Sequence, residues 1–224
     1  MSILSIGSLL QGFHNVFVFI LKFAYMESTK LTRKAVISRK TMETDIELVF
    51  DVDGTGKYEI VTGVPFLDHM LTLFTVHGFF GMSLRCKGDT EVDDHHTVED
   101  IGICLGKAIS SALADKGGIA RYGSCYLPMD EALVRVVIDV SNRPFLHYEV
   151  TVAEQKIGSF DSILVKEFFR AITQHAGLTL HIDLLHGENG HHIIEAIFKG
   201  FGRALKSAAT RTGISGPLSS KGSL

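Results

Sequence analysis

The sequence predicts an α+β fold made of two tandem half-domain repeats, with helices packed between two mainly antiparallel sheets. Three observations carry that reading. His95-His96-Thr-Val-Glu99 is answered by His191-His192-Ile-Ile-Glu195, and the match continues without gaps to Lys107-Ala108 and Arg203-Ala204 at a constant offset of 96 residues. With a two-residue gap it extends backwards, placing Asp68-His69…His77-Gly78 on Lys166-Glu167…His175-Ala176. An internal duplication constrains the fold before any single element is considered, and two copies make paired half-domains rather than a solenoid. Short alternating runs joined by tight turns and longer apolar runs with helical spacing complete the case.

The elements follow in order. Lys34 to Arg39 and Thr44 to Asp51 alternate as strands with one buried face, and Asp53-Gly54-Thr55-Gly56 supplies the turn that leads to a third strand near Tyr58 to Thr62. Pro65 to Phe80 carries apolar residues at helical spacing (Phe66, Met70, Leu73, Phe74) and ends at glycine. Met82 to Cys86 resumes as a strand, and Val98 to Leu113 is a helix stopped by Asp115-Lys-Gly-Gly. The second half reads as strands over Glu131 to Asp139 and Phe145 to Val152, a helix over Ser162 to His175, a strand over Leu178 to Leu184 and a last helix over Ile193 to Ala209. The expected boundaries are an apolar extension over residues 1–25, half-domains over 26–120 and 121–211, and a Ser/Gly-rich tail over 212–224.

At 224 residues the chain fits one large domain or two closely packed halves, and its 46% hydrophobic content is ample for a core. A net charge of −3 argues against nucleic-acid binding as the main task. Cys86, Cys104 and Cys125 are odd in number and form no CxxC pair, which points to reduced thiols and a cytoplasmic setting. Met1 to Leu21 lacks any charge and approaches the length of a membrane span, but Gln11, His14 and Asn15 interrupt it and no basic residue precedes it. An anchor, a targeting leader and an upstream extension with the working start at Met26 compete; the extension is preferred, and no membrane partner is expected unless the leader is real.

Each repeated motif has the spacing of a metal clamp. Residues i and i+4 share a helix face, so His95 with Glu99 and His191 with Glu195 can each hold one divalent ion. His96 and His192 point roughly 100° away and are free for another ion. Imidazole with carboxylate suits manganese, iron, nickel or zinc rather than calcium. One histidine pair at a helix start would be polar residues facing solvent; two matched copies argue for metal. A dinuclear metallohydrolase is an alternative, with ions ~3.5–4 Å apart bridged by water, although no aspartate-rich bridging motif is evident. A metal-storage or metal-sensing protein is another, and would not require Arg121, Arg143 or Lys199.

The motifs Arg39-Lys-Thr-Met-Glu43-Thr, Thr62-Gly-Val-Pro-Phe-Leu-Asp68-His69, Gly88-Asp, Asp94-His-His-Thr-Val-Glu-Asp100, Arg121-Tyr-Gly, Pro128-Met-Asp-Glu131, Asn142-Arg143-Pro, His191-His-Ile-Ile-Glu-Ala-Ile-Phe-Lys199 and Ser219-Ser-Lys221-Gly stand in order from about Arg33 to the C-terminus. Together they resemble the imidazoleglycerol-phosphate dehydratase family, lyases of histidine biosynthesis. The resemblance implies a fold related to domain 2 of ribosomal protein S5 and a homo-oligomer of 24 subunits with manganese sites between subunits. It also implies loss of water from D-erythro-imidazoleglycerol phosphate to give imidazoleacetol phosphate, with two manganese ions per subunit stabilising an imidazolate intermediate. His69, His95, His96, Glu99, Glu167, His191, His192 and Glu195 would be the ligands, four per ion, with His96 and His192 crossing to the ion held by the opposite repeat. Glu167 is a departure from some members, which carry histidine there, while other bacterial-type sequences carry glutamate; as the repeat partner of His69 it is a chemically reasonable ligand. Glu43 would be the general acid/base. Arg121, Arg143, Lys199, Ser219 and Lys221 would bind phosphate, which guanidinium forks match bidentately. Asp68, Asp100 and Asp130 adjoin the motifs and are candidates to orient ligating histidines.

Overall fold

The computed structural model describes residues 33–222. The leader over residues 1–25 lies outside them. The first half runs β1 (Lys34–Lys40), β2 (Thr44–Asp51), β3 (Tyr58–Val61), α1 (Pro65–His77), β4 (Gly81–Gly88) and α2 (His95–Leu113). The second runs β5 (Tyr122–Met129), β6 (Ala132–Asp139), β7 (Phe145–Glu149), the hairpin β8 (Lys156–Ile157) and β9 (Phe160–Asp161), α3 (Leu164–Ala176), β10 (Thr179–His186) and α4 (Gly190–Ala208).

Two four-stranded sheets share one topology, β1-β2-β4-β3 and β5-β6-β10-β7. In each, the first two pairings are antiparallel. The last, β3 on β4 or β7 on β10, is parallel. Strand alternation explains which face is buried: Ile46, Leu48 and Phe50 of β2 and Val134, Val136 and Ile138 of β6 are all inaccessible. Helices cover those faces, α2 on β1 and β2, and α4 on β5 and β6.

The helices then pair across the halves, α1 with α4 and α2 with α3. Close approach is possible because glycine stands at both crossings. A Cβ on Gly202 would lie 2.6 Å from the Phe74 carbonyl oxygen, and one on its repeat partner Gly106 2.8 Å from that of Ile172. Phenylalanine rings link the halves: Phe74 contacts Phe50, Phe80 and Phe201, and Phe201 contacts Phe169, which meets Phe168 and Phe198. Fully burying each such ring contributes about 1.5–3 kcal/mol.

Three local departures from the sequence reading have physical causes. β5 is a strand although its alternation is weak. It is an edge strand that tolerates Pro128, and its inward Gly123 leaves room for α4, since a Cβ there would sit 2.0 Å from the Ala204 carbonyl oxygen. The strand expected to reach Val152 stops at Glu149, before the small hairpin. Helix α3 starts at Leu164, not Ser162, because the Ser162 hydroxyl donates to the Glu154 carbonyl at 2.7 Å and ties that residue to the hairpin.

Candidate metal centre and anion cleft

Helix α1 begins with Pro65, whose fixed φ suits a first turn, and carries His69 one turn later. Asp68 does not orient a histidine; it accepts from the Thr62 backbone N–H at 2.8 Å and from its hydroxyl at 2.6 Å, fixing the entry to the helix. Helix α4 is capped by Asn189, whose side chain accepts from the backbone N–H groups of His191 and His192. That cap sets the first turn, so His191 and Glu195 fall on one face.

Because α1 packs on α4, His69 joins them. Glu195 Oε1 lies 2.8 Å from His69 Nε2 and 3.1 Å from His191 Nε2. Among the described residues these three form the one group of metal-type side chains whose ligand atoms all lie within 4.8 Å of one another. The donor set of two imidazoles and a carboxylate fits a divalent transition ion. Lys199, one turn beyond Glu195, donates to Glu195 Oε2 at 2.5 Å. Glu195 is only 7% exposed. Burial pushes its carboxyl up, but the hydrogen bonds from Lys199, His69 and His191 outweigh that and bring it down to about 2.

The other repeat supplies the same residue types less tightly gathered. His95 Nε2 and Glu99 Oε2 are 3.6 Å apart on α2. Glu167, on the helix that packs against α2, accepts from Arg170 at 2.6 Å instead of meeting them. Lys199 has no counterpart here, since the repeat places Ile103 at its position.

The second histidine of each motif faces carboxylates from loops. His96 Nδ1 is 3.0 Å from Asp89, with Glu43 3.7 Å from its Nε2. His192 Nδ1 is 2.8 Å from Glu131, with Asp130 3.8 Å from its Nε2. Each carboxylate raises its histidine by hydrogen bonding. Glu131 is held down to about 2 by His192 and the Asn189 backbone N–H. Sequence reasoning missed Asp89 and Glu131, although the repeat contains a signal: Glu131 and Glu43 each stand one residue before the equivalent strands β6 and β2. Asp100, also expected beside a histidine, is instead buried under Arg39 and Thr44, which donate to it at 2.8 and 2.5 Å.

Four of the five phosphate candidates meet elsewhere. Arg121, Arg143, Ser219 and Lys221 line an open cleft of about 840 Å³ between the second sheet and the tail. Arg121 is 7% exposed, donates through Nε and Nη2 to Asp139 at 2.7 and 3.1 Å, and holds the tail through the Leu218 carbonyl at 2.6 Å. Lys199 is the exception and lies at Glu195.

The comparisons with known proteins point to one family. The family profile described as imidazoleglycerol-phosphate dehydratase matches residues 62–205. A relative of that name from Desulfotalea psychrophila is 69% identical over 192 residues, covering 86% of this chain and 96% of its own. One from Syntrophus aciditrophicus is 52% identical over 196 residues, 87% of this chain and all of its own. The crystal structure of the Staphylococcus aureus imidazoleglycerol-phosphate dehydratase superposes with a TM-score of 0.73 at 45% identity, covering 80% of this chain and 99% of that one. The structure from Pyrococcus furiosus gives 0.74 at 39%, over 84% and 100%. No helix among the described residues is long and apolar enough to cross a membrane. The doubled histidine–glutamate motif, the repeated α+β topology and these likenesses converge: the chain belongs to the imidazoleglycerol-phosphate dehydratase family of lyases.

Proposed function

We propose that this protein dehydrates imidazoleglycerol phosphate to imidazoleacetol phosphate in histidine biosynthesis, in the cytoplasm, using two divalent ions per subunit. The observation that carries the reading is the cluster of His69, His191 and Glu195, drawn from two helices of opposite halves. His69, His191, Glu195 and one of the crossing histidines would hold one ion; His95, Glu99, Glu167 and the other crossing histidine would hold the second. When bound, two manganese ions would supply Lewis acidity that stabilises negative charge on the substrate imidazole, easing removal of a weakly acidic carbon-bound proton.

The remaining work falls to the chain's own side chains. Glu43 is exposed beside His96, and a carboxylate there can take the carbon-bound proton or return one to the departing hydroxyl. Arg121, Arg143, Ser219 and Lys221 offer charge and donors to the phosphate, fixing the substrate at its far end. Lys199 is free to serve as the fourth phosphate cation once Glu195 is engaged as a ligand. A homo-oligomer of 24 subunits, with ligands shared between subunits, belongs to the same proposal.

The test is product formation from imidazoleglycerol phosphate by the purified full chain, with and without added manganese. Turnover that falls at least 100-fold on metal removal and returns with manganese is expected. His69→Ala and Glu195→Gln should each lower both metal content and turnover. Absence of product from fully metallated protein would refute the assignment.

A further inference from the structure

His96 and His192 hold equivalent places in the two repeats, yet their partners do not come from equivalent positions. Asp89 follows β4 and reaches His96 Nδ1 at 3.0 Å. Glu131 precedes β6 and reaches His192 Nδ1 at 2.8 Å. Two different loops therefore deliver a carboxylate to the same ring atom of the two matched histidines. Asp89 is anchored through its backbone, its Oδ1 being buried without a hydrogen-bond partner among the described residues, and Glu131 through its carboxylate. The Asp89 backbone N–H donates to the Glu43 carbonyl at 3.1 Å. Glu131 Oε1 accepts from the backbone N–H groups of Asn189 and Glu188 at 2.8 and 3.3 Å.

An ionised carboxylate only accepts hydrogen bonds, so the proton of the neutral ring must sit on Nδ1. Nε2 then keeps its lone pair. The nearest carboxylates to the two Nε2 atoms, Glu43 and Asp130, are 3.7 and 3.8 Å away, beyond hydrogen-bond range. Which ring nitrogen can bind a metal is decided by the hydrogen bond that the other one makes. We infer that Asp89 and Glu131 are positioning residues that fix His96 and His192 in the Nδ1–H tautomer and present each Nε2 as a metal donor. This rests on the two-ion reading above.

Asp89→Asn and Glu131→Gln test it. Each amide keeps the shape and the acceptor oxygen but can also donate to Nδ1, which moves the ring proton to Nε2 and blocks the donor atom. Manganese titration of the full chain should show one class of sites weakened about 10–100-fold in each variant, with circular dichroism unchanged. Neutron crystallography of the metal-free wild-type protein should place a deuteron on Nδ1 of both rings. That measurement needs no variant to fold. Wild-type affinity in both folded variants, or a bare Nδ1 on either ring, would overturn the inference. If the wild-type chain itself binds no manganese, the two-ion reading fails first, and the initial titration shows that before any variant is made.

Discussion

At the scale of residues, the clustering of metal-type side chains was legible because histidine and glutamate four apart on a helix must share a face. Asp89 was not, because a side chain that approaches a ring from a loop depends on tertiary packing, whereas the contact of Lys199 with Glu195 lay open in its i,i+4 spacing and Glu131 in its repeat position before a strand. Two histidines outside the clusters show a further consequence of packing. His77 and His175 align across the repeat. Burial pushes both below the ordinary range, aided by Lys199 and Arg203 for His77 and by Lys107 and Arg39 for His175, against Glu195 and Glu99 respectively. An unfolded histidine titrates near ~6.5, so just below that pH the unfolded chain binds more protons than the folded one. Stability must therefore rise with pH in that window, and the pair withdraws stability as pH falls from about 6.5. His96 and His192 are shifted the other way and contribute the opposite slope; they are unchanged in the comparison proposed here. The urea midpoint of the double variant His77→Gln, His175→Gln should fall less, or rise more, than that of the parent on going from pH 7 to 5, both in EDTA. Parallel curves would show that neither ring titrates differently on folding.

At the scale of elements, the helices were legible from spacing, and so were the strands with a strong apolar face. β5 escaped because Gly123 replaces a large inward side chain where α4 comes close, and the β8–β9 hairpin escaped because two-residue strands carry no period. The glycines at the helix crossings were visible as aligned letters, Gly106 and Gly202, but their purpose was not. A Cβ at either would press into a backbone carbonyl that cannot move aside without shifting a whole helix. Gly106→Ala and Gly202→Ala should each cost about 1–3 kcal/mol, the usual penalty of overpacking, and Gly202→Ala should also separate α1 from α4, the helices that bring His69 to His191. Urea denaturation measures the loss, and manganese titration of the folded variants measures the separation. Unchanged midpoints in both would mean that the crossings have slack.

At the scale of the whole molecule, the duplication made the α+β class legible, whereas the exchange of helix partners between halves was not, since offset alone does not say which helix meets which. In the proposed assembly, ions that bind only when helices are brought together stabilise that state by mass action. EDTA should therefore reduce the particle size on size-exclusion chromatography, and manganese should restore it. Acid should act in the same direction, because ligating imidazoles must be neutral. A particle unchanged after verified metal removal would leave the ions a catalytic role only. The helix exchange also speaks to origins. Since α1 rests on α4 and α2 on α3, a gene encoding one half would make a chain with bare apolar helix faces. Such a half would need a second copy of itself to cover them, as fusion of a pair of identical chains would supply. Cutting the chain after Ala114, in an exposed turn between the halves, should run the history backwards. Residues 1–114 and 115–224 should copurify as a folded complex when co-expressed and aggregate when made alone, whereas two independently folding fragments would mean that each half descends from a self-sufficient ancestor.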